Sequence, residues 1–316
     1  MRALFAMAMI LLLPVSALGQ DYPARTIRLV TFGAAGSASD VLARTIGKRL
    51  SEKMGQPVIV DNKPGADGMI AGSDVAKSAP DGYTLFFASN SPIAAAPALR
   101  KSVPYDPLKD FTPITMVGYY TFFLYAHPDV PAKTLGELIA YAKANPGKLS
   151  YGSGNTTGSV GIAQIATMSD IKMVHIPYKG EPAALADLLA GRIDVMIGTL
   201  TTGLTHVKAG TLRALATTLR QRYPGLPDVP TIYEALPQYT ITSWGGMFGP
   251  ANLPKEIVTR LNKEFHDIMK EPEVVEMLAK QGFVLTPSTP EALGQFLAEQ
   301  IEAWKVSARA AGIEPE

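Results

Sequence analysis

The sequence predicts an α/β protein of two lobes with a ligand cleft between them. Three observations carry this expectation. Short apolar strands alternate with helices almost from end to end, which implies mainly parallel sheets with helices on both faces. Two segments far apart in the chain share one pattern: a strand, a loop rich in glycine and hydroxyl groups but free of Lys and Arg, then a helix. The series breaks near Gly118–Tyr120 and returns near Gln238–Thr242, as in a chain that leaves one lobe, builds a second and comes back. On that reading residues 20–119 and 240–316 form the first lobe and residues 120–239 the second.

The first strand is Ile27–Phe32, and the loop Gly33–Asp40 leads from it into a helix with Leu42, Ile46 and Leu50 at intervals of four. Pro57–Asp61 is a strand closed by the turn Asn62-Lys63-Pro64-Gly65. A short helix over Ile70–Ala76 precedes the buried-strand run Tyr83–Ala88. Phe111–Val117 and Phe122–Ala126 read as two neighbouring strands, and a helix over Leu135–Ala144 stops at Asn145-Pro146-Gly147. The second unit is the strand Leu149–Tyr151, the loop Gly152–Ser159 and a helix opening at Val160. Lys172–Tyr178, Ile193–Ile197 and Leu212–Thr217 are strands, and between the first two a helix over Pro182–Ala190 ends at Gly191. Tyr239–Phe248 is extended, and the C-terminal part is helical over Pro254–Lys280 and from Pro290 to about Ala311.

Residues 1–19 read as a secretory leader: Met1-Arg2 is a basic start, Ala3–Leu13 is apolar, and Ala17-Leu18-Gly19 offers small residues before a cut ahead of Gln20. The apolar run is too short to span a bilayer comfortably, and nothing later approaches roughly eighteen uninterrupted apolar residues. With no cysteine there is neither a disulfide nor a lipid-attachment site, so the mature chain is expected free in a bacterial periplasm. Lys and Arg number 29 against 28 Asp and Glu, and loss of Arg2 balances them. No basic cluster stands out, which argues against nucleic acid as a partner.

Each glycine-rich loop points backbone N–H groups from a helix N-terminus at whatever lies in front of it, a setting for an anion. Nucleotides fit neither loop. Gly33–Asp40 lacks the lysine of a phosphate loop, and Gly152-x-Gly154-x-x-x-Gly158 misses the dinucleotide fingerprint by one residue. His127, His175, His206 and His266 are isolated, without metal-ligand spacing, so no metal or cofactor is expected. His175 reads as a structural, hydrogen-bonded strand residue. Ser153 lies in Gly152-Ser153-Gly154 with no base indicated nearby, and no catalytic residue is assigned. Ser37, Ser39 and Asp40 also suit helix capping, although the loop's glycines favour a ligand role. For Asp40 two readings stand: its carboxylate helps the helix dipole yet repels an anion, so an ammonium or hydroxyl group is the alternative partner. Tyr119, Tyr120, Phe122 and Phe123 are either strand core or the wall of a site for an aromatic acid.

Several stretches together resemble one family. They include Tyr22-Pro23, Ser51–Gly65, Ala79–Leu85, Pro104–Pro107, Asp110–Pro113, Ala144–Leu149, His175–Gly180, Leu226–Thr231 and Ser243-Trp244. In this order they resemble the extracytoplasmic substrate-binding receptors of tripartite tricarboxylate transporters, the Bug/TctC family, over essentially the whole chain after the leader. The resemblance implies a two-lobed, periplasmic-binding-protein-like (Venus flytrap) fold that closes on its ligand. It also implies a carboxylate held by backbone amides, hydroxyls and water at two loops. The first supplies Phe32, Gly33, Ala35, Gly36, Ser37, Ser39 and Asp40; the second supplies Ser153, Gly154, Asn155, Thr156, Thr157 and Ser159. Asn90 and Thr199 fall where the family lines the rest of the cleft. One departure is clear: Thr31-Phe32-Gly33-Ala34-Ala35-Gly36 stands where the family usually has Pro-Phe-x-x-Gly-Gly, and Asp40 comes one residue later.

The expected function is therefore that of a receptor and not an enzyme. It would be a monomer that binds a small carboxylate and, by resemblance, docks on membrane transporter subunits. A sensory receptor serving a sensor kinase and a secreted enzyme on the same scaffold are the alternatives.

Overall fold

The computed structural model describes residues 22–310 except 179, together with 313 and 315. The expected leader with its cut before Gln20, and Ala311 at the expected end of the last helix, lie outside the described residues. Eleven strands are present among them: β1 (Ile27–Thr31), β2 (Val58–Asn62), β3 (Thr84–Ser89), β4 (Phe111–Tyr120), β5 (Phe122–Ala126), β6 (Ser150–Ser153), β7 (Val174–Pro177), β8 (Val195–Thr199), β9 (Arg213–Thr217), β10 (Trp244–Pro250) and β11 (Phe283–Leu285). They form two sheets, ordered β11-β4-β10-β3-β1-β2 and β7-β6-β8-β5-β9.

Both sheets are mixed, which corrects the expectation of mainly parallel pairing. β1 runs parallel to β2 and β3, and β6 to β7 and β8. Every other ladder is antiparallel: β10 with β3 and β4, β11 with β4, and β5 with β8 and β9. The reason lies in where each strand enters. A helix crossover returns the chain to the same end of a sheet and keeps neighbours parallel. β5 and β10 instead arrive from the other sheet, begin beside the carboxyl ends of their neighbours, and so run the opposite way.

Local patterning accounts for most elements. The helix Ala38–Met54 buries Leu42, Ala43, Ile46 and Leu50 completely and ends in Gly55 at φ 68°, the left-handed residue that closes a helix. The expected helix over Pro254–Lys280 is two, Lys255–Ile268 and Pro272–Lys280. Pro272 lacks the N–H that a continuous helix needs and starts a new one at its first turn. The helix Leu200–Lys208 and the three-residue β11 were not expected from the sequence.

Where the chain crosses between sheets the backbone is tied on both sides. Tyr120 N–H donates to Ser243 O at 2.9 Å, Thr121 N–H to Gly282 O at 2.7 Å, and Leu200 N–H to Thr121 O at 2.8 Å. Gln164, on the helix Thr156–Ser169, adds a side-chain tie. Its Nε2 donates to Thr240 Oγ1 and Ser307 Oγ, each at 2.9 Å, and its Oε1 accepts from Thr240 N–H at 3.1 Å. Ser307 belongs to the helix Pro290–Ala310, whose Trp304 is fully buried. The last helix thus binds both the crossing segment and the second sheet's helix.

Candidate functional site

The carboxyl ends of β1, β3, β6 and β8 face a cavity of about 200 Å³ between the two sheets. This is where open α/β sheets place ligands. Its wall on the first sheet is Phe32, Ser37, Ala38 and Ser39 after β1, and Ser89, Asn90 and Ser91 after β3. The opposite wall is Asn155, Thr156 and Thr157 after β6, with Thr199 at the end of β8. Tyr120 and Phe122, on the crossing strands, and Ser243, just before β10, close the back. None of these lining residues carries a charge.

Two helices start at this cavity. Ser37 caps Ala38–Met54, its Oγ 3.4 Å from Asp40 N, and Asn155 caps Thr156–Ser169, its Oδ1 accepting from Gly158 N–H at 2.6 Å. The N–H groups of Ala38, Ser39, Thr156 and Thr157 make no hydrogen bond to the described residues. These are the orphan donors of two helix N-termini, with the positive ends of two helix dipoles behind them. Asn90, 1% exposed, spans the gap: its Oδ1 accepts from Ser243 Oγ at 3.0 Å and its Nδ2 lies 3.4 Å from Thr157 Oγ1.

Of the residues singled out in the sequence, Phe32, Ser37, Ser39, Asn90, Asn155, Thr156, Thr157 and Thr199 meet at the cavity. The others lie beside it. Gly33 O accepts from Asn62 Nδ2 at 2.9 Å, and Ala35 and Gly36 are exposed on the outer turn of the first loop. Ser159 Oγ donates back to Thr156 O at 3.0 Å. Gly154 packs against the backbone of Gly180 and Glu181: a Cβ there would stand 2.3 Å from Glu181 N.

Asp40 resolves into a brace. Its carboxylate is almost fully buried and accepts from Gly36 N–H at 2.8 Å, Asn62 Nδ2 at 2.9 Å and Arg44, which pairs with it at 2.9 Å. Burial opposes ionisation, but the Arg44, Gly36 and Asn62 hydrogen bonds outweigh it and hold the carboxyl below the usual carboxylate range. Nothing of it is left to meet an ammonium or a hydroxyl group. At the same point one of the first loop's glycines is withdrawn from a ligand role, because the Gly36 N–H is spent on Asp40.

The sequence indicated no base near Ser153, yet its Oγ lies 2.6 Å from His175 Nε2. Parallel pairing of β6 and β7 sets His175 opposite Tyr151, and the two rings stack with centroids 4.7 Å apart. Desolvation lowers the imidazole pKa from its ordinary value. No described carboxylate bonds to His175, and neither partner lines the cavity; the pair joins β6 to β7. No group of His, Asp and Glu among the described residues could hold a metal ion.

Six lining residues are not among the site residues singled out in the sequence: Ala38, Ser89, Ser91 and Ser243, together with Tyr120 and Phe122, which the sequence leaves open between strand core and the wall of a site. The aromatic run held a signal for Tyr120 and Phe122: alternation along a strand turns neighbouring side chains to opposite faces. Tyr120 and Phe122 face the cavity, Phe123 is fully buried, and Tyr119 lines a separate 120 Å³ cavity with Arg220, Tyr233 and Phe296. The buried Tyr120 hydroxyl has no partner among the described residues.

Two sheets with their strand ends turned on one uncharged cavity define a two-lobed solute-binding fold of the periplasmic type. The chain matches the tripartite tricarboxylate transporter family receptor, TctC, over residues 42–313, and it belongs to that family. It is 36% identical to protein BugT of Bordetella pertussis, over 95% of this chain and 92% of that one. An R. palustris protein solved with adipate superposes with a TM-score of 0.81 at 33% identity, covering 94% of this chain and all of the other. MatC from Rhodopseudomonas palustris, solved with bound malate, superposes with a TM-score of 0.76 at 29% identity, over 90% and 99% of the two chains.

Proposed function

We propose that this chain is a periplasmic receptor that closes residues 20–119 and 240–316 against residues 120–239 on a small carboxylate and passes it to a tripartite tricarboxylate-type transporter. The observation that carries the reading is the pair of helix N-termini meeting over one cavity with no charged lining side chain and with four N–H groups that have no partner among the described residues. Such donors stabilise a carboxylate without a cation. Adipate and malate, bound by relatives of the same fold, are ligands of this kind. Closure is favoured by the contacts that the second loop adds once the first is engaged. Export follows from the leader at residues 1–19, cut before Gln20, and delivery from the family.

Thermal unfolding of the mature protein against mono-, di- and tricarboxylates tests the binding step. At least one acid raises Tm by several degrees. Thr156→Asp, an acidic first-turn residue that a helix tolerates but an anion does not, removes the rise. A panel without any shift would overturn the reading. For delivery, uptake by cells that carry the transporter's membrane subunits falls when the receptor is deleted and returns with the wild-type chain.

A further inference from the structure

The crossing segments separate two cavities. Tyr120 and Ser243 line the cleft cavity, while their chain neighbours Tyr119 and Thr242 line the second one, of 120 Å³. Successive side chains of an extended chain point to opposite sides, so one pair of segments walls both. Arg220 and Tyr233, which follow β9 of the second sheet, bound the second cavity on one side. Phe296 and Gln300, on the helix Pro290–Ala310 packed against β4, bound it on the other.

Two polar side chains of this second cavity are unspent. Gln300 is 9% exposed, its Oε1 is buried without a partner, and its side chain makes no hydrogen bond to the described residues. A buried amide in that state is costly unless something enters to meet it. Arg220 pairs with no carboxylate among the described residues, and its guanidinium carbon stands 3.9 Å from the centre of the Tyr233 ring. Stacking occupies the face of the guanidinium and leaves its edge, where the N–H donors lie in plane. Burial raises the Tyr119 and Tyr233 hydroxyls above the ordinary phenol pKa and the Arg220 charge opposes it, so both phenols are neutral beside one cation. No Asp or Glu lines the cavity to neutralise that cation.

We propose that this cavity is a second binding site, separate from the cleft, for a short-chain monocarboxylate of the size of propionate. The carboxylate meets the in-plane donors of Arg220, the geometry a guanidinium offers to that group. The Gln300 amide, which no bond holds in one orientation, turns its NH₂ to the same anion. The short apolar chain lies among Tyr119, Leu219 and Phe296. Size sets the class: about 150 Å³ admits benzene, so 120 Å³ holds about five non-hydrogen atoms, and a second carboxylate group exceeds the space. An occupant touches groups from both sheets' sides of the crossing segments, and the site stands whether or not the cleft binds a carboxylate.

Calorimetry with propionate on the mature protein, paired with a crystal grown in propionate, tests it. Propionate binds in solution, and the crystal shows it bounded by Arg220 and Gln300. Arg220→Gln, at an exposed position that folding tolerates, weakens propionate at least tenfold, and Gln300→Leu, which removes the amide, does the same. Thr156→Asp, at the cleft cavity, leaves propionate affinity unchanged. Equal affinity in the wild type and Arg220→Gln overturns the inference, as does occupancy in the crystal without binding in solution, or no binding by either measurement. Loss of propionate in Thr156→Asp with no change in Arg220→Gln places the acid in the cleft, which overturns this inference and leaves the receptor reading standing.

Discussion

The first loop turns through Gly36, at φ 82° and with open space where a Cβ would stand, whereas the second contains no left-handed glycine. Gly154 of the second loop is instead pressed against the Gly180–Glu181 backbone. One glycine is present for its dihedral and the other for its lack of volume. The braces differ in the same way: Asp40 is part of its own loop and paired with Arg44, while Glu181 reaches the second loop from a later helix. Two loops that read alike in sequence reach a similar end, two free N–H groups at a helix start, by different physics. A glycine-rich loop before a helix thus points to an anion cradle without saying what holds it in shape.

The contrast breaks most directly at Gly154. Gly154→Ala forces backbone against backbone and costs about 3 kcal/mol, read as a lower denaturant midpoint, with ligand binding lost as the loop shifts. Asp40→Asn comes next, at about 2 kcal/mol, since it removes a buried charge that holds Gly36, Asn62 and Arg44 together. Gly36→Ala meets no atom and pays only for its left-handed backbone, about 1 kcal/mol; equal midpoint shifts at Gly36 and Gly154 would end the distinction drawn between the loops. Asn155→Ala costs about 1 kcal/mol and Ser37→Ala less, because the cap bond is 2.6 Å in the second loop and 3.4 Å in the first. The smallest effect is one of pH. Asp40 titrates below its ordinary value in the folded state, so its contribution is complete above about pH 4 and fades as pH falls toward the folded value. The Tm gap between wild type and Asp40→Asn should narrow below pH 4, and a gap that stays constant down to about pH 3 would remove the ionised carboxylate from the account.

Much of the fold was legible because periodicity is local. Leu42, Ile46 and Leu50 mark a buried helix face by spacing alone, and the apolar runs at Ile27–Thr31 and Thr84–Ser89 are central strands by the same logic. The Pro254–Lys280 helix was misread because its apolar spacing continues across Pro272, whose missing N–H breaks it. Half of the site was legible too. Ser37, Asn155, Thr156 and Thr157 announce themselves as caps and first-turn residues, but Ser243 and Tyr120 reach the cavity only because β10 and β4 pair beside it.

By itself the sequence determined the alternating strands and helices, the two loops and the membership of the family, since each is written in neighbouring residues or in their order. Tertiary structure alone decided which polar groups are spent and which are free. Gly36 N–H is consumed by Asp40, Ser153 is met by His175, and the Thr199 N–H is taken by Glu181. A buried donor takes whichever acceptor folding brings within about 3 Å. For Ser153 and Thr199 that acceptor comes from a different strand or helix, so no local pattern foretells it.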